Sequence, residues 1–408
     1  MISQAERKKT GPPKKLPIRE EEVQGFKYLD VFFKVLNRFH NDKAHQNRKL
    51  FYDQYLALML LYFFNPVLTS LRGIQQATTL KKVQQRLGVK KTSLGALSEA
   101  SYVFDPDLLS PLMKEMADQA ISQGKNPQLK QIYQSIKAVD GALLPALPKM
   151  LWALWQDEKN RAAKLHLEFD IVKQVPTAAT LTHGNGNEKK ILRTFLAPNT
   201  IYLLDRGYAE YKLMGEIIDV QSAFVIRLRD NAAYAILEEK PLTENDRKSG
   251  IQKDLIVTLG CDNKKEDCPY PLRIIQVFHT GDETERRHSR VSSKKTFRTR
   301  EVDYTFLLAT NLTDLPAETI ALLFKLRWQI ELFFRWFKCV LGCRHLVALS
   351  KNGLTIQIYC ALIAGMLITL WTGRKPTKRT FEMIRLHFMG WASDEELERH
   401  LAQLKSND

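Results

Sequence analysis

Pro316–Leu341 reads PAETIALLFKLRWQIELFFRWFKCVL. It has no internal glycine or proline, follows Thr313-Asp314, begins at Pro316 and is succeeded by Gly342. Those are the start and stop signals of one long α-helix. At about 100° per residue, Leu322, Leu326, Ile330, Phe333 and Phe337 share an apolar side. Phe324, Arg327, Glu331, Arg335 and Lys338 fall on the other, within an arc of about 80°. An ordinary amphipathic helix would leave these charges as solvated i, i+4 pairs and would use Trp328 for core packing.

The order along that polar arc is F-x-x-R-W-x-x-E-x-x-x-x-x-x-K. It resembles the Y-x-x-R-x-x-x-E-x-x-x-x-x-x-K signature of the bacterial insertion-sequence transposases called the IS-four family. In that family the glutamate is the third member of an Asp-Asp-Glu triad, so two aspartates must lie upstream. The segment from Gln131, QIYQSIKAVDGALLPAL, sets Ile132, Ile136 and Ala138 in period-two register with Asp140, a strand expected to end at the Asp140-Gly141 turn dipeptide. The segment from Thr200, TIYLLDRGYAEYKLMGEI, is a short apolar strand stopped at Asp205-Arg206-Gly207-Tyr208 and followed by a helix. V-D-G and L-D-R-G-Y resemble the family's first and second aspartate motifs, and the resemblance covers residues 130–350.

The resemblance implies an α/β fold: an RNase H-like mixed sheet with flanking helices, interrupted by a β-rich insertion and preceded by an all-helical N-terminal domain. It implies that Asp140, Asp205 and Glu331 are the catalytic and metal-binding residues. Hydrolysis and transfer of a phosphodiester needs an activated nucleophile and a stabilised leaving oxygen. Two Mg²⁺ ions supply both, with Mn²⁺ as a substitute, and hard carboxylate oxygens suit them. Asp140 is expected to bridge the two ions. Arg327 and Lys338 would hold DNA phosphate beside the scissile bond, with Arg335 assisting. Phe324 occupies the signature's tyrosine position, keeping the ring and losing the hydroxyl. The implied partners are double-stranded DNA, as transposon ends and target, and a second copy of the chain in a DNA-bound homodimer; a hairpin-ended intermediate is also implied. Two rivals fit the same residues: a degenerate DNA-binding repressor derived from such an enzyme, and another RNase H-like nuclease.

Composition agrees with a polyanionic partner. The 408 residues carry a formal net charge of +16, a balance that points to nucleic acid. The stretch MISQAERKKTGPPKK, polar and basic, does not read as a signal peptide. The apolar run Ile356–Trp371 reads as a buried helix, leaving no membrane partner. Five cysteines with no usual zinc spacing suggest a reducing compartment. The expected location is the bacterial cytoplasm, at the nucleoid.

Taken in order, residues 1–20 read as a disordered basic tail and 21–125 as a helical DNA-binding domain. Within it, the run from Thr79 to Ser101 suggests a helix, a Gly88 turn and a second helix entered at Thr92 or Ser93. Lys81, Lys82, Arg86, Lys90 and Lys91 would surround that helix-turn-helix with phosphate-seeking charge. Residues 126–230 form the first part of the catalytic domain. They include two strands in 163–182 with a bend at Pro176, a turn at 183–187, and a strand Ser222–Arg229 with Arg227 and Arg229 on one face. Residues 231–300 are the β-rich insertion. Its block RRHSRVSSKKTFRTR offers Arg286, Arg287, Arg290, Lys294, Lys295, Arg298 and Arg300 as an arm for DNA phosphates. Residues 301–372 complete the catalytic domain, and 373–408 are a C-terminal helical segment with a capping box at Ser393.

Overall fold

The computed structural model describes residues 18–24, 26, 29, 33, 35–42, 47–121, 129, 132, 134–147, 149–155, 160–260, 268–279, 304–340, 346–372 and 377–406. The basic tail up to residue 17 and the 286–300 arm lie outside them. The chain divides into two compact units, Met1–Phe104 with Arg379–Asp408, and Asp105–Lys378.

In chain order the helices are Tyr52–Phe64 (α1), Leu71–Ala77 (α2), Lys81–Leu87 (α3), Leu94–Val103 (α4), Leu109–Gln119 (α5), Glu188–Phe195 (α6) and Tyr211–Asp219 (α7). They continue with Glu244–Lys248 (α8), Ala317–Leu326 (α9), Trp328–Val340 (α10), Lys351–Thr372 (α11), Lys378–Phe388 (α12) and Asp394–Ser406 (α13). The strands are Ser135–Pro145 (β1), Ala162–Asp170 (β2), Val175–His183 (β3), Thr200–Leu204 (β4), Ala223–Arg227 (β5), Tyr234–Glu239 (β6), Ile251–Leu259 (β7), Leu272–His279 (β8) and Tyr304–Thr310 (β9).

The first unit is helical because its apolar residues recur at helical spacing between local stop signals. Helix α1 is buried almost throughout and ends where Asn65 turns extended before Pro66. Gly88, at φ 62°, terminates α3 in the left-handed conformation. The Ser93 hydroxyl accepts from the Ala96 amide at 3.1 Å and starts α4. Tyr52 stacks on Phe104 at 4.5 Å, and Phe64 meets Phe388 of α12 at 5.0 Å. Ser393 and Glu396 exchange two bonds, at 3.1 and 2.8 Å, and start α13.

The second unit is built on one mixed nine-stranded sheet in the order β3-β2-β1-β4-β5-β9-β8-β7-β6. Strands β1, β4 and β5 are parallel, β2 and β9 run against them, and β3, antiparallel to β2, runs with them. On one face, Val139, Leu204, Phe224 and Ile226 form a core with Leu192 of α6 and Leu213, Met214 and Ile217 of α7. On the other, Phe169 of β2 meets Phe333 of α10 at 5.1 Å. Helix α11 has a mean hydropathy of 1.9, long and apolar enough to cross a membrane, yet 89% of its apolar window is buried in the protein. Its Tyr359 hydroxyl donates to the Ala179 carbonyl of β3 at 2.8 Å.

The insertion does not leave the sheet: β6, β7 and β8 extend it through β9. A buried Arg273 of β8 makes a two-pronged bond to Asp254 of β7 at 2.8 and 2.6 Å. The same guanidinium donates to the carbonyls of Leu312 (3.2 Å) and Leu315 (2.5 Å). It thereby fastens the insertion to the turn that enters α9.

Several expectations change. The helix expected to run unbroken from Pro316 is two helices, α9 and α10, separated at Arg327. The Arg327 amide donates to Phe324 at 3.2 Å, the tighter 3₁₀ pattern. Apolar spacing survives such a tightened turn, so periodicity could not reveal it. Asp140 does not end its strand. Antiparallel pairing with β2 carries β1 on through Gly141 to Pro145, and those ladder bonds override the local turn preference. The reversal between β2 and β3 comes before Pro176, at Gln174 with φ 58°, and Pro176 sits inside β3 beside a bulge. Trp328 is not core: it is 48% exposed, because the break at Arg327 rotates the start of α10.

Candidate active site

Strands β1 and β4 pair in parallel, Ser135 with Thr200 through Ala138 with Leu203. The offset of 65 residues continues to Asp140 and Asp205, the latter still extended at φ −82°, ψ 177°. The two carboxylates therefore project from adjacent strands, whose spacing is about 4.8 Å. Alternation fixes their side. Val139 and Leu204 face the α6–α7 core, so Asp140 and Asp205 point the other way, toward the layer of α9 and α10. Phe169, the partner of Ala138, touches Phe333 of α10 on that same side.

Both aspartates are anchored by the backbone that follows them. Asp140 Oδ1 accepts from the Gly141 amide at 2.7 Å, and Asp205 Oδ1 from the Gly207 amide at 2.8 Å. Burial pushes the Asp140 carboxyl up to about 6. The Asp205 charge adds to that rise, while the Gly141 amide and the Arg327 guanidinium oppose it.

Arg327, at the α9–α10 junction, donates from Nη2 to Glu331 Oε1 at 2.7 Å. Its guanidinium lies 5.6 Å from the Phe324 ring centre, and that ring packs on Phe306 at 5.7 Å. Arg327 thus couples Glu331 to the aspartates, since its charge also reaches Asp140. Further along α10, Arg335 is exposed and Lys338 half-buried. Among the described residues, no three His, Cys, Asp or Glu side chains gather closely enough to hold an ion between them.

Other candidate DNA contacts scatter. Arg229, with Asp205, Arg206, Gly207, Asp230 and Asn231, lines an open cavity of about 630 Å³. Arg227 lies over the rings of Tyr304 and Phe306 at 5.4 and 5.3 Å. Lys81, Arg86, Lys90 and Lys91 are exposed in the helical unit, not in the unit that carries the carboxylates. Lys82 donates to Gln24 Oε1 at 3.0 Å.

Three features went unread in the sequence. Helix α6 was not expected; the Asn187 side chain, accepting from Lys190 at 3.1 Å, is the local cap that could have announced it. Its first residue, Glu188, pairs with Lys164 of β2 at 2.5 Å. A Cβ on Gly141 would stand 2.8 Å from Lys164 Cε and 2.9 Å from Glu188 Oε1, so glycine admits this ion pair beside the Asp140 strand. Tyr208 is the third: its hydroxyl is buried without a hydrogen-bond partner. Burial, then the charges of Glu188, Asp140 and Asp205, push its pKa well up.

Residues 134–367 match the family described as the transposase DDE domain. The chain belongs to that family. The matched residues include Asp140, Asp205 and Glu331, whereas the helical unit lies outside them. Among relatives of this member of the transposase DDE domain family, a putative transposase, y4zB, of Sinorhizobium fredii is 27% identical over 58% of this chain and 60% of its own length. A probable transposase for insertion sequence element IS5377 of Geobacillus stearothermophilus is 25% identical over 57% of this chain and 55% of its own. The chain therefore spans little more than half the length of these two relatives. A putative transposase for insertion sequence element IS4SA of Synechocystis is 21% identical over 72% of this chain and 77% of its own.

Proposed function

We propose that this chain is the transposase of an insertion sequence, of the IS-four group and with an RNase H-like catalytic core. It binds the terminal inverted repeats of its element, cuts there and joins 3′-OH ends to target DNA, acting as a homodimer at the nucleoid. The observation that carries the reading is the parallel pairing of β1 with β4, whose register of 65 residues leads to Asp140 and Asp205, on the side where Arg327 at the α9–α10 junction meets Glu331 of α10. Family membership supports the same chemistry.

The donor set suits hard divalent cations: three carboxylates, all oxygen, with the charge of Asp205 adding to the cost of ionising Asp140. Asp140, Asp205 and Glu331 are assigned to hold two Mg²⁺ ions, for which Mn²⁺ can substitute. When bound, such a pair activates the attacking oxygen and stabilises the departing one. Arg327 and Lys338 grip the phosphate flanking the scissile bond, with Arg335 beside them. Exposed Trp328 offers an indole face to a base or ribose. Arg229, beside Asp205, adds a phosphate contact.

The test is cleavage of a duplex carrying the element's terminal repeats, with and without Mg²⁺, followed by joining to a plasmid. The expected result is Mg²⁺-dependent cutting and joining by the wild type, and none by Asp205→Ala despite retained DNA binding. Binding without cutting by the wild type would instead support a repressor.

A further inference from the structure

Arg327 and Glu331 are both reserved for other partners in the reading above, the first for phosphate and the second for a cation. In the free protein they hold each other, at 2.7 Å. We propose that Arg327 acts as a latch on Glu331, withholding this carboxylate from the cation site until a DNA phosphate takes over the guanidinium. The proposal rests on the transposase reading and adds to it an order of assembly.

The geometry distinguishes this pair from a solvated i, i+4 ion pair. The Arg327 side chain is largely shielded, and the Phe324 ring lies against its guanidinium. Its Nε is buried with no acceptor among the described residues, so the fork is only partly satisfied by Glu331. A phosphate brings several oxygens and meets a guanidinium fork with two parallel bonds, a better match than one carboxylate oxygen. Exchange needs no refolding, because Arg327 at the α9–α10 junction and Glu331 in the first turn of α10 lie four residues apart. Meanwhile the charge of Asp205 already reaches Asp140, whereas no three His, Cys, Asp or Glu side chains converge among the described residues. Two carboxylates are ready and the third is held.

Such an arrangement couples the two ligands. DNA raises cation affinity by the same factor by which cations raise DNA affinity. It also restrains the enzyme from loading a complete cation pair away from DNA.

Mn²⁺ binding, counted by electron paramagnetic resonance with and without a short mixed-sequence duplex, tests the latch without any turnover. The wild type should bind one ion per chain tightly and a second at least about tenfold more weakly, a gap of one affinity decade that the duplex closes. Arg327→Gln should close the gap without DNA, and Glu331→Gln should lose the second ion under every condition. Lys325→Gln, which removes an exposed charge two residues away, should behave as wild type. Equal Mn²⁺ binding by the wild type with and without duplex overturns the proposal, as does a Lys325→Gln variant that matches Arg327→Gln. Should Arg327→Gln not fold, the wild-type comparison alone decides. Cation binding coupled to DNA with no cutting would sink the transposase reading and leave the latch; cutting without coupling would do the reverse.

Discussion

Asp140 of β1 feels the charge of Asp205, which directly follows the parallel neighbour strand β4 and lies 65 residues on in the chain, the same offset as the register of the two strands from Ser135 with Thr200 to Ala138 with Leu203. Like charges so placed oppose joint ionisation, and Asp140 carries the cost, its carboxyl pushed up to about 6 mainly by burial.

That cost has a sign and a window. A carboxyl with a raised folded pKa contributes stability below its unfolded value, near 3.9, and loses it as pH rises through the folded value, near 6. Asp140→Asn should therefore match the wild type at about pH 4 and be more stable by about 2 to 3 kcal/mol above pH 7 without divalent cations. Urea melts of both proteins across that range check it; a pH-independent difference would contradict the assigned environment.

Arg273 should be costly to remove. Truncating one member of a buried ion pair strands the other, at about 3 to 5 kcal/mol, and here three turn carbonyls also lose a donor. Arg273→Met should lower the urea midpoint accordingly. The paired change Arg273→Met with Asp254→Leu should recover part of the loss.

Phe324→Tyr places a hydroxyl where the Y-x-x-R-x-x-x-E-x-x-x-x-x-x-K signature that this stretch resembles has one. One added phosphate hydrogen bond, about 1 kcal/mol net, should tighten binding to repeat-bearing duplex roughly fivefold. The melting temperature should change little, since the ring keeps its packing on Phe306. A filter-binding titration measures the first, and calorimetry the second.

Gly250→Ala should destabilise more than Gly141→Ala. Gly250 has φ +82° and a Cβ there would lie 2.5 Å from the Phe278 carbonyl, which is backbone and cannot yield. At Gly141 the obstacles are the far ends of Lys164 and Glu188, which can move aside. Thermal melts should place the first at about 2 to 4 kcal/mol and the second near 1.

Salt dependence reports on the helical unit. Lys90 and Lys91 are exposed. If both touch phosphate, the slope of log affinity against log salt should fall by about 0.9 for each residue replaced with alanine. An unchanged slope would remove these residues from the interface.

Much of this molecule is local in origin and therefore visible in the amino-acid order. The caps at Ser93 and Ser393, the stop at Gly88, the apolar repeat through Ile330, Phe333 and Phe337, and the three acidic motifs all depend on neighbours within a turn or a strand. Other features depend on residues brought together from far along the chain. The strand through Asp140 continues past a turn dipeptide because β2 supplies ladder bonds. The insertion joins the main sheet because β8 pairs with β9. Gly141 is glycine because Lys164 and Glu188 close on it from two other elements.

The sequence by itself put Asp140, Asp205 and Glu331 forward as candidates for the chemistry, because side-chain type and spacing along a helix or strand are properties of the chain alone. Only the tertiary structure decided that the strand bearing Asp140 pairs in parallel with the strand leading to Asp205, that the helix breaks at Arg327, and that Arg273 of β8 pairs with Asp254 of β7. Register, helix breaks and long-range ion pairs come from packing between distant segments, and no local pattern encodes them.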